Sequence, residues 1–412
     1  MKINNIAKQK GEIGIHYFLM LLLLSFYGLN TELLTGNYTK YLLFTLLLVL
    51  CYDSIQIRTK YSKPIIIFAF FVLLSCLYSS FFNDQKFYFV LASSYQYFSL
   101  LFFFYLVGRR LSYLETERVI KLISITFCFA YIIQWLIYPV AIFSTALDTI
   151  NINDEVFRLR MPGSICCYCL FFYGLNRFLL RKRIEFVYYM ILGFIPILIQ
   201  GFRSLIFLTL VSFFILIIFV YRQSTKVVVY CLLGIAFVSA LLNTSLGQQK
   251  MNEMLERQKL DQTFDNEDYV RYQSFDYYWN YQFNKPYEKV IGGGVPSDPD
   301  SKYYKQIERV KQYQHLWWVD LGLVGLVLII GIPAVLLLVY LYVICIWRCK
   351  APRLQFIRFT LLVVLMGSIF TSMELYRNGN ILIFSLLLYS EYIYNVENKN
   401  KKLILNDKNN RS

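Results

Sequence analysis

Charge is scarce in this chain of 412 residues: Asp, Glu, Lys and Arg make up 16% of it, against about a quarter in an ordinary soluble domain. With a 57% apolar share, that scarcity excludes a water-soluble core, whose apolar residues would fall in shorter, periodic runs. Histidine is rarer still. Only His16 and His315 occur, so the side chain best matched to proton transfer near neutral pH has two places to act. Cysteine is missing from the one long polar stretch, Thr244 to His315. The nine cysteines (Cys51, Cys76, Cys128, Cys166, Cys167, Cys169, Cys231, Cys345 and Cys349) all lie in or beside apolar runs. That excludes a disulfide framework for the polar stretch, and a thiol-free exposed loop suits an oxidising compartment. Cys166-Cys167-Tyr168-Cys169 has no histidine near it and reads as small apolar packing residues rather than a metal site. A basic surface interleaved with stacking aromatics is also missing from the polar stretch, which argues against nucleic-acid binding.

The apolar residues come in blocks of about 17 to 25, the length that crosses a hydrocarbon core of about 30 Å. About twelve such blocks lie near 14–30, 40–57, 64–82, 87–107, 118–138, 163–180, 184–200, 204–221, 226–243, 316–346, 354–372 and 379–394. The fold expected is an all-α polytopic membrane protein of about twelve transmembrane helices with one large external loop. Its parts are a membrane domain over 1–243 (spans one to nine), the loop over 244–315, a second membrane segment over 316–394 (spans ten to twelve) and a tail over 395–412. The tenth block is longer than one crossing needs, which puts part of it, near Trp317 and Trp318, at the interface. The first block has a basic start, but Tyr27-Gly28-Leu29-Asn30 offers no small-residue cleavage site, so it reads as a retained helix.

Lysine and arginine positions give the orientation. With the N-terminus in the cytoplasm, the inside loops hold Arg58, Lys60 and Lys63; Arg109, Arg110, Arg118 and Lys121; Arg181, Lys182 and Arg183; Arg222 and Lys226; and Arg348, Lys350 and Arg353. The short outside loops carry only Lys40, Lys86, Arg158, Arg160, Arg203 and Arg377. The polar stretch 244–315 then faces outward, with both termini inside. Positive-inside loops also account for the net charge of +15, since 244–315 holds ten basic and eleven acidic residues.

Several residues could carry chemistry at that outer face. Arg203, in Gln200-Gly201-Phe202-Arg203-Ser204, sits close to hydrocarbon, where a charge is costly and marks a functional site by default. Its fork of donors suits a phosphate; it reads equally as an interfacial arginine that snorkels to headgroups. The loop offers Arg271, the aromatics Tyr277-Tyr278-Trp279, Pro286, and the run Gly292-Gly293-Gly294. Glycines can let backbone N–H groups approach an anion, or form simple turns. The aromatics could stack on sugars or rest on the membrane. His315 stands where the loop enters the tenth block and can act as a base, or anchor the interface. Asp320, further in, could orient it. Glu374 and Arg377 could pair or line the same cavity. Asp298-Pro299-Asp300 reads as a proline turn rather than a metal–nucleotide site.

Taken in order, these motifs resemble the O-antigen polymerase and ligase superfamily (Wzy-type polymerases and their lipopolysaccharide ligase relatives). The motifs concerned are Arg203-Ser204 after a mid-chain span; Arg271, Trp279, Pro286 and Gly292 to Gly294 in the loop; and His315 leading into Asp320, Gly322 and Gly325. Leu316 stands where the family often has asparagine, and Asp320 where it often has glutamate.

The resemblance implies a GT-C-like, metal-independent glycosyltransferase of the bacterial inner membrane, needing no cofactor. Its substrates would be undecaprenyl-diphosphate-linked oligosaccharides, and a chain-length regulator and a flippase would be its partners in the bilayer. Arg203, Arg271 and Arg377 would bind the diphosphate, Gly292 to Gly294 would lie near the substrate, and His315 with Asp320 would be catalytic. Polymerase fits this divergent, tyrosine- and isoleucine-rich sequence better than ligase. A lipid-linked oligosaccharide flippase is the alternative of another class. Against it stand the large loop, the lack of an internal repeat and the few acidic residues within spans.

Overall fold

The computed structural model describes residues 2–29, 37–138, 140–143, 161–220, 243–245, 248, 252, 270–370, 375 and 379–409. Among them the chain is all-helical, with no strand and a single isolated bridge between Leu29 and Phe143. Helices close their backbone hydrogen bonds within one segment, as a segment without access to water requires. They lie over every apolar block read from the sequence except the ninth, 226–243, most of which falls outside the described residues.

The first helices are α1 (Lys2–Leu23), α2 (Asn37–Tyr52), α3 (Ser62–Phe82) and α4 (Phe87–Phe98). After a 3-10 turn at Ser99–Leu101 come α5 (Phe102–Arg109), α6 (Tyr113–Leu136), α7 (Ile165–Arg181), α8 (Glu185–Gln200) and α9 (Arg203–Ile215). The polar segment contributes α10 (Val270–Asp276), which widens into a π turn at Tyr277–Gln282, then α11 (Pro286–Ile291) and α12 (Lys302–Gln314). The chain closes with α13 (Leu323–Ile330), α14 (Ile332–Arg348), α15 (Gln355–Phe370) and α16 (Asn380–Asn409).

Among the described residues, four stretches are long and apolar enough to cross a membrane: Ser62–Phe82, Phe87–Arg109, Tyr113–Leu136 and Pro352–Ile369. Shorter apolar helices accompany them. The tenth block is not one helix. Gly331 takes φ 83 between α13 and α14, and Pro333 restarts the helix in the first turn of α14. Proline is tolerated there because the first N–H groups of a helix have no partner in any case. α16 runs unbroken through the tail read over 395–412 as far as Asn409.

Two groups of helices make up the bundle. In one, α7 and α8 form a tight hairpin backed by α6, α15 and α9. At Gly174 and Gly193 the two backbones approach so closely that a Cβ would meet main-chain atoms at 2.6 Å, the kind of approach small residues allow between helices in lipid. In the other group α3 packs between α4 and α14, and the α4–α5 segment is enclosed almost completely.

One end of the bundle, at the start of α3 and the middle of α16, is fastened by ion pairs. The Glu391 carboxylate is fully buried. It accepts from Lys60 Nζ at 2.8 Å, Arg348 Nε at 3.2 Å, Asn395 Nδ2 at 2.5 Å and the Tyr61 hydroxyl. At the same end Glu117 meets Arg177 Nη2 at 2.5 Å, with the Tyr173 hydroxyl donating to the same carboxylate at 3.1 Å. A buried charge persists only when paired and hydrogen-bonded. The opposite end, where α3 ends and α9 begins, receives the polar segment and is called here the loop end.

Glu391→Ala should cost about 3 kcal/mol, the low end for breaking a buried pair, because Lys60 and Arg348 keep 25% and 42% side-chain exposure. The melting temperature of detergent-purified protein measures this. An unchanged value would mean that the cluster holds nothing together.

Candidate functional site

The loop end is organised by one amide. Gln85, in the turn between α3 and α4, is buried. Its Nε2 donates to Ser79 Oγ at 2.6 Å and to the Val295 carbonyl at 3.2 Å. Its Oε1 accepts from the N–H groups of Ser297 at 2.8 Å and Asp298 at 3.1 Å. Asp298 is buried too, and its carboxylate accepts from the N–H of Lys86 at 2.8 Å and of Asp300 at 3.1 Å. The Asp-Pro-Asp turn therefore grips the start of α4 while it shapes itself. Outside this knot Lys86 Nζ meets Asp300 at 2.6 Å. That hydrogen bond holds the Asp300 carboxyl below its ordinary range and lifts Lys86 above its own. Both side chains are exposed, so the pair adds little stability.

The glycine run sits deeper. The N–H of Gly292 donates to Glu288 O at 2.8 Å, that of Gly293 to Leu328 O at 2.7 Å and that of Gly294 to Ile329 O at 3.0 Å. Ser75 Oγ donates to the same Ile329 carbonyl at 2.5 Å, and Asn83 Nδ2 donates to Gly293 O at 2.8 Å. The segment thus caps the C-terminal carbonyls of α13 where the helix breaks. The three donors that could face an anion are occupied by the protein, and the run serves packing. Both neighbours force glycine: a Cβ on Gly292 would meet Gly331 N at 2.5 Å, and one on Gly294 would meet the Ser79 side chain.

From this anchor α12 leads to His315. Ser301 caps the helix by accepting from the N–H of Tyr304 at 3.1 Å, and Tyr303, Ile307 and Val310 form its buried face. The helix ends at His315, whose backbone is left-handed, with φ 55 and ψ 26, and whose side chain is exposed. Glycine or asparagine usually fills such a position. Leu316 and Trp318 on either side of Trp317 are buried, and Lys311 Nζ lies 4.6 Å from the centre of the Trp317 ring.

Backbone contacts bring further sequence-predicted residues to the same end. Asp320 lies half-buried in the 3-10 turn Trp318–Leu321, against which α10 packs, and α10 carries Arg271, itself exposed. Gly322 takes φ 60, and its α-carbon abuts the carbonyls of Ser368 and Ile369 at the end of α15. Gly367 of α15 in turn abuts Leu205, in the first turn of α9, which begins at Arg203. The start of α9, the end of α15, the Asp320 turn and α10 are therefore successive neighbours. The Arg203 side chain, Glu374 and Arg377 lie outside the described residues. Among the described residues no three His, Cys, Asp or Glu side chains come together as a metal site.

Gln85, Asp298 and Tyr278 organise this end, and residue type alone did not single them out for it. Tyr278 is buried, and its hydroxyl donates to Leu316 O at 3.1 Å. At the other end Glu391 and Arg177 carried a readable signal, a charge inside an apolar run. Compared with models of protein families and with curated proteins, the chain matches none.

Two residues of positive φ at this end should respond oppositely. Gly322→Ala combines a left-handed backbone with a clash against carbonyls and should cost about 3 kcal/mol. His315→Gly relieves a left-handed residue and should gain about 1 kcal/mol. Thermal unfolding in detergent checks both, and equal effects would contradict the packing described.

Proposed function

We propose that this chain is a polysaccharide polymerase of the bacterial inner membrane. It would extend a surface glycan such as O-antigen by moving a growing chain from undecaprenyl diphosphate to a sugar hydroxyl of the next lipid-linked repeat unit. In this reading the chain has about twelve spans in a GT-C-like arrangement, with both termini cytoplasmic and the loop end facing outward. The observation that carries it is the gathering, at one end of a helical bundle, of the start of α9, the α10 helix, His315 and the Asp320 turn. Composition alone would scatter these motifs over more than a hundred residues. The resemblance to the polymerase and ligase superfamily supplies the substrate class.

The chemistry asks little of the protein beyond placement and charge. The bond between the anomeric carbon and the diphosphate oxygen breaks, and the acceptor hydroxyl forms the glycosidic bond. Its proton passes to His315 Nδ1 or Nε2, and undecaprenyl diphosphate leaves with the electron pair. The energy is already stored in the glycosyl–diphosphate linkage, so rate comes from orientation and from stabilising the departing anion. Arg203 and Arg271, with Arg377, are the cations for that anion. Their permanent charge and planar donors fit phosphate oxygens. Asp320 would hold the imidazole in its useful orientation. Gly292 to Gly294 support the site by bracing α13, not by touching the diphosphate.

A ligase would use the same leaving group and differ in its acceptor, the lipid A core. A deletion strain separates the readings. Core capped with one repeat unit, restored to long chains by the gene, is the expected result. Long polymer still on the carrier would indicate a ligase, and single repeats trapped inside would indicate a flippase. In the restored strain His315→Ala and Arg203→Ala should each lower polymer by a factor on the order of a hundred or more, at normal protein level. Polymer of normal length in both would contradict the site.

A further inference from the structure

We propose that Tyr278 is the positioning residue for His315, fixing the spacing between the histidine and Arg271. This rests on the reading of His315 as the group that takes the acceptor proton. The His315 side chain is exposed and its backbone is left-handed, so its direction depends on how the chain is held on either side. On one side α12 is fastened through Ser301, with Tyr303 OH donating to Gly294 O at 3.3 Å. On the other side the first tie is the Tyr278 hydroxyl on the carbonyl of Leu316, the residue next to His315.

Tyr278 is built for that task. It is 1% exposed, and its ring meets that of Tyr277 edge to face at 5.1 Å. Tyr277 is held in turn by its hydroxyl, which donates to Gln282 Oε1 at 3.1 Å. Tyr278 also lies in the π turn that follows α10, and such widened turns recur at functional sites. Arg271 is seven residues earlier on the same helix. One hydrogen bond therefore ties the element that carries a diphosphate-binding arginine to the backbone that carries the base. In a transfer reaction a misplacement of about 1 Å costs on the order of a hundredfold in rate, so slack in this tie falls on turnover rather than on substrate binding.

The test uses purified full-length protein and the lipid-linked repeat unit that accumulates in cells lacking this gene, with rates normalised to folded protein. Tyr278→Phe keeps the ring and removes the donor. It should lower kcat by about tenfold to a hundredfold, with KM for the lipid-linked substrate unchanged within about twofold. A 4-aminophenylalanine at position 278, which still donates over the same reach, should restore turnover. The proposal is overturned if Tyr278→Phe turns over like the wild type, if it raises KM alone, or if 4-aminophenylalanine does no better than phenylalanine. It is also overturned if Tyr278→Phe fails to accumulate, since the hydroxyl would then be a folding contact. His315→Ala is run beside it. Full turnover in that variant sinks the reading of His315 and this inference with it. A dead His315→Ala with a normal Tyr278→Phe sinks this inference alone.

Discussion

A broken helix must give its free carbonyls to something, and here that requirement shapes the loop end. α13 stops at Ile330, and two of its last carbonyls, Leu328 and Ile329, receive the N–H groups of Gly293 and Gly294. Unpaired backbone acceptors in a buried setting would cost several kcal/mol each. The loop is therefore not a separate domain resting on the bundle but the partner that completes it. Gln85 and Asp298 extend the seam to the turn between α3 and α4. Once 292–298 is fixed, the start of α12 is fixed, and with it the line along which His315 is presented.

The opposite end has a different economy. Glu391 and the Glu117–Arg177 pair hold helices by charge, in a setting where each ion is tolerable only with its partners present. The loop end is fastened by amides, hydroxyls, backbone groups and the buried Asp298 carboxylate, and it leaves Arg271 and His315 exposed.

Much of this was legible in the sequence because the signals were local. Apolar length located helices, the break in hydropathy located the loop, and a lone histidine at its junction marked the turn that proved left-handed. The Asp298-Pro299-Asp300 segment read correctly as a turn, but not as a clamp, because the clamp depends on Lys86, more than two hundred residues earlier. The glycine run read as a place for an anion or as a simple turn, and not as a helix cap, for the same reason. Nothing near it in the chain shows that Leu328 and Ile329 will offer carbonyls there. Gln85 carries no signal at all, and Tyr278 read only as one of an aromatic cluster, since the worth of an amide or a phenol is set by the groups it faces. The tenth apolar block looked continuous because Gly331 breaks it through its backbone angle, without any polar residue.

The measurement closest to the centre of this account places the purified protein in liposomes with its undecaprenyl-diphosphate-linked repeat unit. The account predicts a ladder of glycans spaced by one repeat, with one undecaprenyl diphosphate released for every bond made. Movement of the lipid-linked unit across the bilayer without release of undecaprenyl diphosphate, or intact substrate in the presence of folded protein, would contradict it.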